Sequence, residues 1–505
     1  LAPAVQFLSS VTFWVPVIVF FLSYLLLIVV VNRAGWWAHV LGGLASDRLA
    51  GLPAPVAVWA AGRWYAGRHR ESASTLPVLG GALLAGGVGV VLGLAGWRST
   101  IAPVAPSTAV VYTAETIEKG RQLAALGNCA HCHTVDASKP LAGGLAMDTP
   151  FCTVVTTNFT PDVDTGIGTW SFSAFQRAMR EGISRDGRHL YPAFPYTAFT
   201  RMGDDDLTAL YAYLMNQKPV RAELPATQLK FPFNARPLLA GWNALHLEVG
   251  PRKTSETTRS ELWQRGEYLV NGVGHCGACH TERNALGAER EGKAFLGGAM
   301  VKGWEAPSLT ARHPGPVPWT EDAFYSYLRQ GHSPQHGMAG GPMADVVRNL
   351  QDVPEADVRA MAHYLASFGQ PTTAAQAESA ATQAIATAAA GAPQLQGPAQ
   401  RMFDQACAVC HHDGNGPRLL GVNVPLALNS NLHSAHPDNL LRSILEGVQD
   451  PATRDIGFMP AFKDALDDRQ LVELAAYMRQ RFAPQQAPWT DLPAAVARAR
   501  AASQP

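Results

Sequence analysis

The chain has 505 residues, of which 47% are apolar and only 16% are charged, with 40 basic and 40 acidic side chains. This length predicts about three globular domains, and the apolar content excludes a largely disordered chain. Because the formal net charge is zero, no basic field favours nucleic acid as a partner. Charged residues are scarcer than the usual fraction of about a quarter, which indicates a surface covered in part by membrane or cofactors.

Two uncharged apolar runs near the N-terminus predict membrane-spanning helices. They cover residues 11–31 and 76–97, and about 20 apolar residues are enough for a helix to cross a bilayer. A secretory signal peptide is the alternative for the first run, but its apolar core is usually only about 7–15 residues long. We therefore expect residues 1–100 to form a transmembrane anchor, a two-span hairpin.

The loop between the two runs predicts the orientation of this hairpin. Its arginines outnumber its acidic residues: Arg33, Arg48, Arg63, Arg68 and Arg70 stand against Asp47 and Glu71. Such an excess marks the cytoplasmic side of a membrane. We therefore expect the rest of the chain on the periplasmic side of the cytoplasmic membrane.

Six of the seven cysteines belong to three copies of the pattern C-x-x-C-H, at residues 129–133, 276–280 and 407–411. This pattern is typical of covalent attachment of haem c. The thiols that would form thioether bonds are Cys129, Cys132, Cys276, Cys279, Cys407 and Cys410, and the imidazoles that would ligate iron are His133, His280 and His411. We call these motifs one, two and three, and they predict three covalent haems c. Attachment outside the cytoplasm agrees with the predicted orientation.

Zinc binding and dithiol chemistry are the alternative interpretations of these cysteines. A structural zinc site needs four Cys or His ligands, usually from two paired elements, whereas the three motifs lie more than 100 residues apart. A redox-active C-x-x-C would need a βαβ context, but the flanking sequence is helical in pattern and rich in alanine. Haem c is therefore preferred, and Cys152 is assigned no role.

The sequence around the motifs repeats three times. Each repeat has an amphipathic helix before its motif and another helix at its end, in which Tyr213, Tyr364 and Tyr477 fall in register. We therefore expect three small helical cytochrome c domains. The predicted fold class is mainly α, with an N-terminal two-span transmembrane hairpin followed by these three tandem domains.

The predicted domain bounds follow from this repeat. The domains are 110–217 (repeat one), 259–369 (repeat two) and 399–483 (repeat three). The connecting segments are a packed linker at 218–258, a linker rich in alanine and threonine at 371–398, and a tail at 484–505.

A methionine ahead of the last helix of each repeat would give each iron a sixth ligand. Met202 and Met459 are the candidates in repeats one and three. Repeat two offers both Met338 and Met343, and we prefer Met343 because it lies nearer the last helix. A haem between His and Met is closed to substrate and has a raised potential. We therefore predict electron transfer without peroxidase activity, and no catalytic residue.

Other segments resemble the membrane-associated triple-haem cytochrome c subunits of bacterial quinone-linked dehydrogenases. They are TTNFTPD at 156–162, GIGTW at 166–170, GRHLYPAFPY at 187–196, GGPMA at 340–344 and MPAF at 459–462. The resemblance covers about 110–483. It implies a subunit in contact with membrane lipid that takes electrons from a catalytic partner and passes them through its haems to ubiquinone.

The resemblance leaves the type of catalytic partner open. Related subunits serve pyrroloquinoline-quinone alcohol dehydrogenases, flavin-dependent gluconate or fructose dehydrogenases, and a molybdopterin aldehyde dehydrogenase with a small iron–sulfur subunit. The predicted hairpin favours the molybdopterin type, because the alcohol and sugar types attach to the membrane differently. No substrate-oxidising site is expected in this chain. A stand-alone membrane redox cytochrome, which would require an open haem, is the alternative.

Overall fold

Helices dominate the part of the chain that the computed structural model describes, which is residues 98–105, 111–231, 233–251, 258–412 and 421–503. Ser99–Asn234 and Trp242–Pro505 form one compact unit, which holds all three motifs. Arg98 and Ala235–Gly241 belong to another unit.

Repeat one contains five helices and two strands among its described residues. Its elements are α1 (Ala114–Leu126), α2 (Cys129–His133), β1 (Ala146–Asp148), β2 (Cys152–Val155), α3 (Phe172–Glu181), α4 (Tyr196–Phe199) and α5 (Asp204–Met215). The following linker contains β3 (Gln228–Leu229) and α6 (Leu238–His246). The strands pair in the order β1-β2-β3, with Cys152 opposite Leu229.

Repeat two has the same helical plan with two short hairpins. Its elements are α7 (Glu261–Asn271), α8 (Gly277–His280), β4 (Ala299–Val301), β5 (Trp304–Ala306), α9 (Glu321–Gln330), β6 (His332–Ser333), β7 (Gly337–Met338), α10 (Pro342–Leu350) and α11 (Glu355–Ala366). The pairs β4–β5 and β6–β7 are antiparallel.

Repeat three is helical in its described part. A long helix, α12 (Ala374–Gly391), precedes it. Its elements are α13 (Pro398–Ala406), α14 (Ser430–His433), α15 (Asp438–Glu446) and α16 (Asp468–Phe482), and the tail forms α17 (Leu492–Ala502). Short 3₁₀ turns lie at Gly292–Ala294, Ala392–Gln394 and Leu426–Leu428.

The predicted fold class needs a correction. Among the described residues, no helix combines the length and the apolar character needed to cross a membrane, so the predicted transmembrane hairpin is not supported. The longest described helix, α12, has 18 residues and consists largely of Ala, Thr and Gln. It is shorter and less apolar than the run of about 20 apolar residues that a membrane span requires. The two segments assigned to the hairpin, 11–31 and 76–97, lie outside the described residues.

Side-chain caps explain where several helices begin. In α1, α3, α7 and α9 a Ser or Thr hydroxyl accepts a hydrogen bond from the backbone N–H three residues later; these residues are Thr113, Ser171, Ser260 and Thr320. Helices α12 and α16 begin with reciprocal capping boxes, Thr373 with Gln376 and Asp467 with Gln470. Such caps satisfy N–H groups that have no partner within a helix. The alanine- and threonine-rich segment is accordingly helical over most of its length.

In repeats one and two the first helix crosses the last helix at a glycine. A Cβ atom added to Gly120 of α1 would lie 1.9 Å from the Ala209 carbonyl oxygen of α5. One added to Gly266 of α7 would lie 2.0 Å from the Ala360 carbonyl oxygen of α11. The backbones approach so closely because glycine has no side chain. Each crossing fixes the helix that leads into a motif.

Repeats one and two share one hydrophobic core. Leu126 of repeat one and Leu269 of repeat two belong to the same cluster of buried side chains. Repeat three has its own cluster, which includes Phe403, Leu441 and Leu474. Since burial of apolar surface is the main source of stability, the first two repeats are expected to unfold together.

Repeat three also packs against repeat two. Val347 of α10 and Ile456 belong to a small apolar cluster between the two repeats. At its edge, Arg348 Nη2 lies 2.8 Å from Asp450 Oδ2. Helix α10 therefore takes part in both the fold of repeat two and the attachment of repeat three.

Glu305 of β5 is half-buried where repeats two and three meet. Burial raises the pKa of its carboxyl group; hydrogen bonding from the Ser434 hydroxyl and the charge of His436 oppose this rise, and Asp438 adds to it. The folded protein therefore favours the protonated carboxyl more than the unfolded chain does. This preference stabilises the folded protein at pH values below the ordinary pKa of 4.5. The stabilisation is lost as the pH rises through the raised pKa of the folded protein.

Glu305→Gln is expected to increase the free energy of unfolding at neutral pH, because the amide can still accept from Ser434 and carries no charge to desolvate. The gain should disappear below the ordinary pKa of a glutamate, where the wild-type carboxyl is protonated in both states. Urea unfolding at neutral and acidic pH measures both effects. The exposed Glu291 provides the matched control, since Glu291→Gln should change neither value. A loss of stability at neutral pH in Glu305→Gln would contradict this interpretation.

Candidate haem-binding site

Short helices hold the thiols of motifs one and two. In α2, Cys129 and Cys132 lie one turn apart and therefore on the same side of the helix. In motif two, Cys276 directly precedes α8 and Cys279 lies within it. Burial raises the pKa of the Cys129 and Cys276 thiols to about 12. Before haem is attached, both thiols are therefore protonated and uncharged at neutral pH.

The His133 imidazole is oriented for metal binding. Its Nδ1 lies 2.6 Å from the Thr157 carbonyl oxygen. A carbonyl oxygen only accepts, so Nδ1 carries the proton and Nε2 keeps a free lone pair. The Phe159 ring stacks on the imidazole, with 3.6 Å between the ring centres. Burial lowers the pKa of His133 to about 4, so the ring is neutral, which is the form that binds a metal.

His280 repeats this arrangement. Its Nδ1 lies 2.8 Å from the Pro307 carbonyl oxygen, and burial lowers its pKa. The main chain repeats as well: Gly143 N–H donates to the His133 carbonyl at 2.7 Å, and Gly298 N–H donates to the His280 carbonyl at 2.8 Å. Two separate motifs thus present a free Nε2 in the same way, with the hydrogen-bonded Nδ1 that is usual for a metal-ligating histidine.

Motif three forms a turn at the end of α13. The backbone N–H groups of Cys410 and His411 donate to the Cys407 carbonyl at 3.1 and 2.8 Å. Burial lowers the pKa of His411, and its Nδ1 has no hydrogen-bond partner among the described residues. Residues 413–420, which follow directly, lie outside the described part.

Buried polar atoms in repeat two also fit a bound haem. Trp319 Nε1 and His313 Nε2 are buried and find no hydrogen-bond partner within the described ranges. His313 Nδ1 accepts from Gly315 N–H at 3.1 Å, so Nε2 carries the proton and is a donor. Buried donors require an acceptor, and a haem carries two carboxylates. Motifs one and two, with two thiols and one imidazole each, therefore fit haem c.

No cluster of three or more Cys, His, Asp or Glu side chains is arranged to hold a metal ion within the residues that the structure describes. The geometry of a structural zinc site is thus not seen around the described cysteines.

Met202 lies fully buried between α4 and α5. Its backbone N–H donates to the Phe199 carbonyl at 3.0 Å, and its carbonyl oxygen accepts from Arg180 Nη2 at 2.9 Å. The residue is thus held firmly ahead of the last helix of repeat one. Its role as the sixth ligand stays a prediction.

Repeat two places its two candidate methionines differently. Met343, at the start of α10, packs against the core shared by repeats one and two and against the small cluster between repeats two and three. Met338, in β7, joins only the small cluster among the described apolar clusters. The role of Met343 as the sixth ligand of the second haem stays a prediction.

Met459 lies in a short backbone pairing with Val448. Met459 N–H donates to the Val448 carbonyl at 3.1 Å, and Val448 N–H donates to the Met459 carbonyl at 2.9 Å. A Cβ atom on Gly447 would lie 2.4 Å from the Met459 carbonyl oxygen. The loop that carries Met459 is therefore held against the end of α15. Its role as an iron ligand also stays a prediction.

Motifs one and two lie side by side, which the sequence pattern did not predict. A Cβ atom on Gly127 would lie 3.3 Å from Val273 Cγ2, so the loops that precede the two motifs touch. Asn349 Nδ2 of α10 donates to Asn128 Oδ1, at the start of motif one, at 2.6 Å. We call this contact region the motif junction. A sequence pattern within one repeat carries no information about a contact between two repeats.

Comparison with known proteins agrees with this geometry. The family model described as Cytochrome c matches residues 117–218, and the model described as Cytochrome C oxidase, cbb3-type, subunit III matches residues 396–478. The matched ranges contain motifs one and three. Together with the cysteine geometry, they show that the chain carries covalent haem c.

Relatives extend the match over most of the chain. A nicotinate dehydrogenase subunit of Pseudomonas putida is 53% identical over 428 residues, which are 83% of this chain and 35% of that protein. The fructose dehydrogenase cytochrome subunit of Gluconobacter japonicus is 35% identical over 79% of this chain and 85% of its own length. The cytochrome c subunit of the quinone alcohol dehydrogenase of Gluconobacter oxydans is 34% identical over 72% and 78%.

This chain therefore spans about a third of the Pseudomonas putida protein, but it matches most of the length of the other two. Identity above 30% over most of a relative's length establishes common membership of a family. The chain belongs to the family of electron-transferring cytochrome c subunits of quinone-linked dehydrogenases.

Proposed function

We propose that this chain holds three covalent haems c and relays electrons from a catalytic dehydrogenase subunit to ubiquinone. The observation that carries the proposal is the matched geometry of His133 and His280, in which Nδ1 contacts a backbone carbonyl oxygen and Nε2 is free. The three C-x-x-C-H motifs support the number of haems. Haem c supplies one-electron redox chemistry.

The residues of the chain would divide the work of holding the haems. The two cysteines of each motif would anchor the porphyrin, and the histidine would ligate the iron. Met202, Met343 and Met459 would supply the second protein ligand, and such ligation raises the potential and keeps small molecules from the iron. The visible spectrum of the reduced protein should accordingly not change on addition of carbon monoxide, and a full shift of any haem would contradict this ligation.

Removing one cysteine pair tests the number of haems. The double variant Cys129→Ala and Cys132→Ala should fall from three haems per chain to two, because no thioether can form at motif one. Haem content per chain and the mass of the denatured protein measure this loss. Cys152→Ala is the matched control, since Cys152 is a buried cysteine outside the motifs and should leave the mass of the attached haem unchanged. A wild-type chain with fewer than three haems would contradict the proposal.

The catalytic partner we propose is a molybdopterin subunit with a small iron–sulfur subunit. The hairpin that favoured this type is not supported by the structure. The comparisons bear on the kind of dehydrogenase and not on its cofactor: the chain is 53% identical to a nicotinate dehydrogenase subunit, against 35% and 34% for the fructose and alcohol types. This difference favours a partner distinct from the sugar and alcohol enzymes. We propose an aldehyde or a nicotinate-like aromatic compound as its substrate.

Purification of the complex from its native source tests this assignment. The co-purifying catalytic subunit should contain molybdenum, and nicotinate or an aldehyde should reduce the haems, whereas fructose and ethanol should not. Pyrroloquinoline quinone or flavin in that subunit would contradict the assignment. An active chain that purifies without any partner would favour the stand-alone cytochrome instead.

The haem-bearing repeats are proposed to lie on the periplasmic side of the cytoplasmic membrane, because haem c is attached outside the cytoplasm. Ubiquinone in the membrane is the proposed acceptor. Substrate-dependent reduction of a soluble ubiquinone analogue by the purified complex tests the acceptor, and protease digestion of intact spheroplasts tests the location. Protection of the haem repeats in spheroplasts would contradict the proposed side.

A further inference from the structure

Arg180 lies at the end of α3, next to the loop that carries Met202. Its side chain is 11% exposed. Two residues later Gly182 adopts a left-handed conformation (φ 63°), and a Cβ atom there would lie 2.6 Å from the Tyr196 ring. The chain therefore turns sharply after α3, and Arg180 is kept on the inner side of the turn, facing the loop.

The Arg180 guanidinium binds this loop at three points. Nη1 donates to the Thr200 carbonyl at 3.3 Å, and Nη2 donates to the Met202 carbonyl at 2.9 Å and to Asp204 Oδ1 at 2.7 Å. Asp204 is 73% exposed, so water screens this ion pair and it contributes little to stability. The two carbonyl contacts are less exposed, and a planar guanidinium suits such several-point binding.

From these contacts we infer that Arg180 is a positioning residue for the Met202 side chain as ligand to the first haem. The inference rests on the proposed role of Met202. By holding the carbonyl oxygens on both sides of the loop, Arg180 fixes the backbone from which the Met202 thioether projects. Without it, the Thr200 and Met202 carbonyls lose their charged donor, and the loop gains conformational freedom.

Repeat two makes the same kind of contact, but the segment that is held contains no candidate ligand. Arg329 lies at the corresponding position, near the end of α9. Its Nη1 donates to the Leu350 and Val353 carbonyls at 2.6 and 2.9 Å. These acceptors precede α11, as Thr200 and Met202 precede α5, and Val353 stands two residues before its helix just as Met202 does. Met343 lies at the start of α10, away from this contact. Arg329 therefore stabilises repeat two without holding the backbone of the candidate ligand.

The matched pair Arg180→Gln and Arg329→Gln tests the inference. A Met–ferric haem bond gives a weak near-infrared absorption band, and redox titration resolves the haem potentials. In Arg180→Gln the band should weaken by up to about one third, because one of three Met–iron bonds is affected, and one midpoint potential should fall. In Arg329→Gln the band and the potentials should stay at wild-type values. Asp204→Ala should also leave them unchanged, since the carbonyl contacts remain.

Met202→Leu separates a failure of the inference from a failure of the ligand assignment. If Met202→Leu leaves the near-infrared band intact, the proposed ligand is wrong and the inference falls with it. If Met202→Leu weakens the band but Arg180→Gln does not, the ligand is right and the positioning role is wrong. Should Arg180→Gln not fold, Arg180→Lys keeps the charge but cannot donate to both carbonyl groups from a planar guanidinium. It should still weaken the band, and a wild-type band in Arg180→Lys would overturn the positioning role of the guanidinium.

Discussion

Replacement of Met343 by leucine is expected to lower the midpoint potential of one haem by on the order of 0.1 V, because axial ligation by Met is a strong determinant of haem potential. Leucine has a similar volume but no sulfur, so packing should change little. Redox titration followed by visible absorption measures the shift. Carbon monoxide should also bind the reduced variant at one haem, because that iron would lose its sixth ligand.

Met338→Leu is the matched control for this prediction. Met338 lies in β7 and joins the small apolar cluster between repeats two and three, whereas Met343 also packs against the core of its own repeat. All three potentials and the carbon monoxide response should therefore stay at wild-type values in Met338→Leu. If the two variants exchange these results, Met338 is the ligand of the second haem.

Gly120→Ala and Gly266→Ala should each reduce the free energy of unfolding by about 3 kcal/mol, at the upper end of the usual cost of overpacking. The added methyl group would lie 1.9 Å from the Ala209 carbonyl oxygen in the first variant and 2.0 Å from the Ala360 carbonyl oxygen in the second. These are backbone atoms of a packed helix, so the helices must separate. Urea unfolding of the haem-loaded chain, followed by far-ultraviolet circular dichroism, measures the loss.

Gly391→Ala provides the control for a helical glycine without a close neighbour. No atom lies within 4 Å of a Cβ atom at this position, at the end of α12, so the substitution should stabilise the chain by up to about 1 kcal/mol through helix propensity. Because repeats one and two share a core, either crossing variant should shift the unfolding of both. An unchanged transition midpoint in Gly266→Ala would show that the helices can adapt.

The cysteines and histidine of each candidate haem site can be identified from the sequence because they lie within five consecutive residues. The choice between Met338 and Met343 cannot be made from spacing alone, since it depends on how the chain folds around them. The sequence does carry a signal for the two helix crossings: Gly120 and Gly266 stand at nearly the same distance before the first cysteine of their motifs.

Other features depend on contacts between distant segments and leave no local pattern. The motif junction joins Gly127 and Val273 from different repeats, and Arg180 acts on carbonyl groups 20 or more residues away. The predicted hairpin is not supported, since no described helix is long and apolar enough to cross a membrane.

The shared core of repeats one and two has a consequence for kinetics. Because Leu126 and Leu269 belong to one packed cluster and the motif loops touch at Gly127 and Val273, the two haem sites keep a fixed separation without any diffusional search. The rate of electron exchange between them should therefore be independent of solvent viscosity. Electron transfer from a partner protein that diffuses separately would instead become slower when glycerol raises the viscosity.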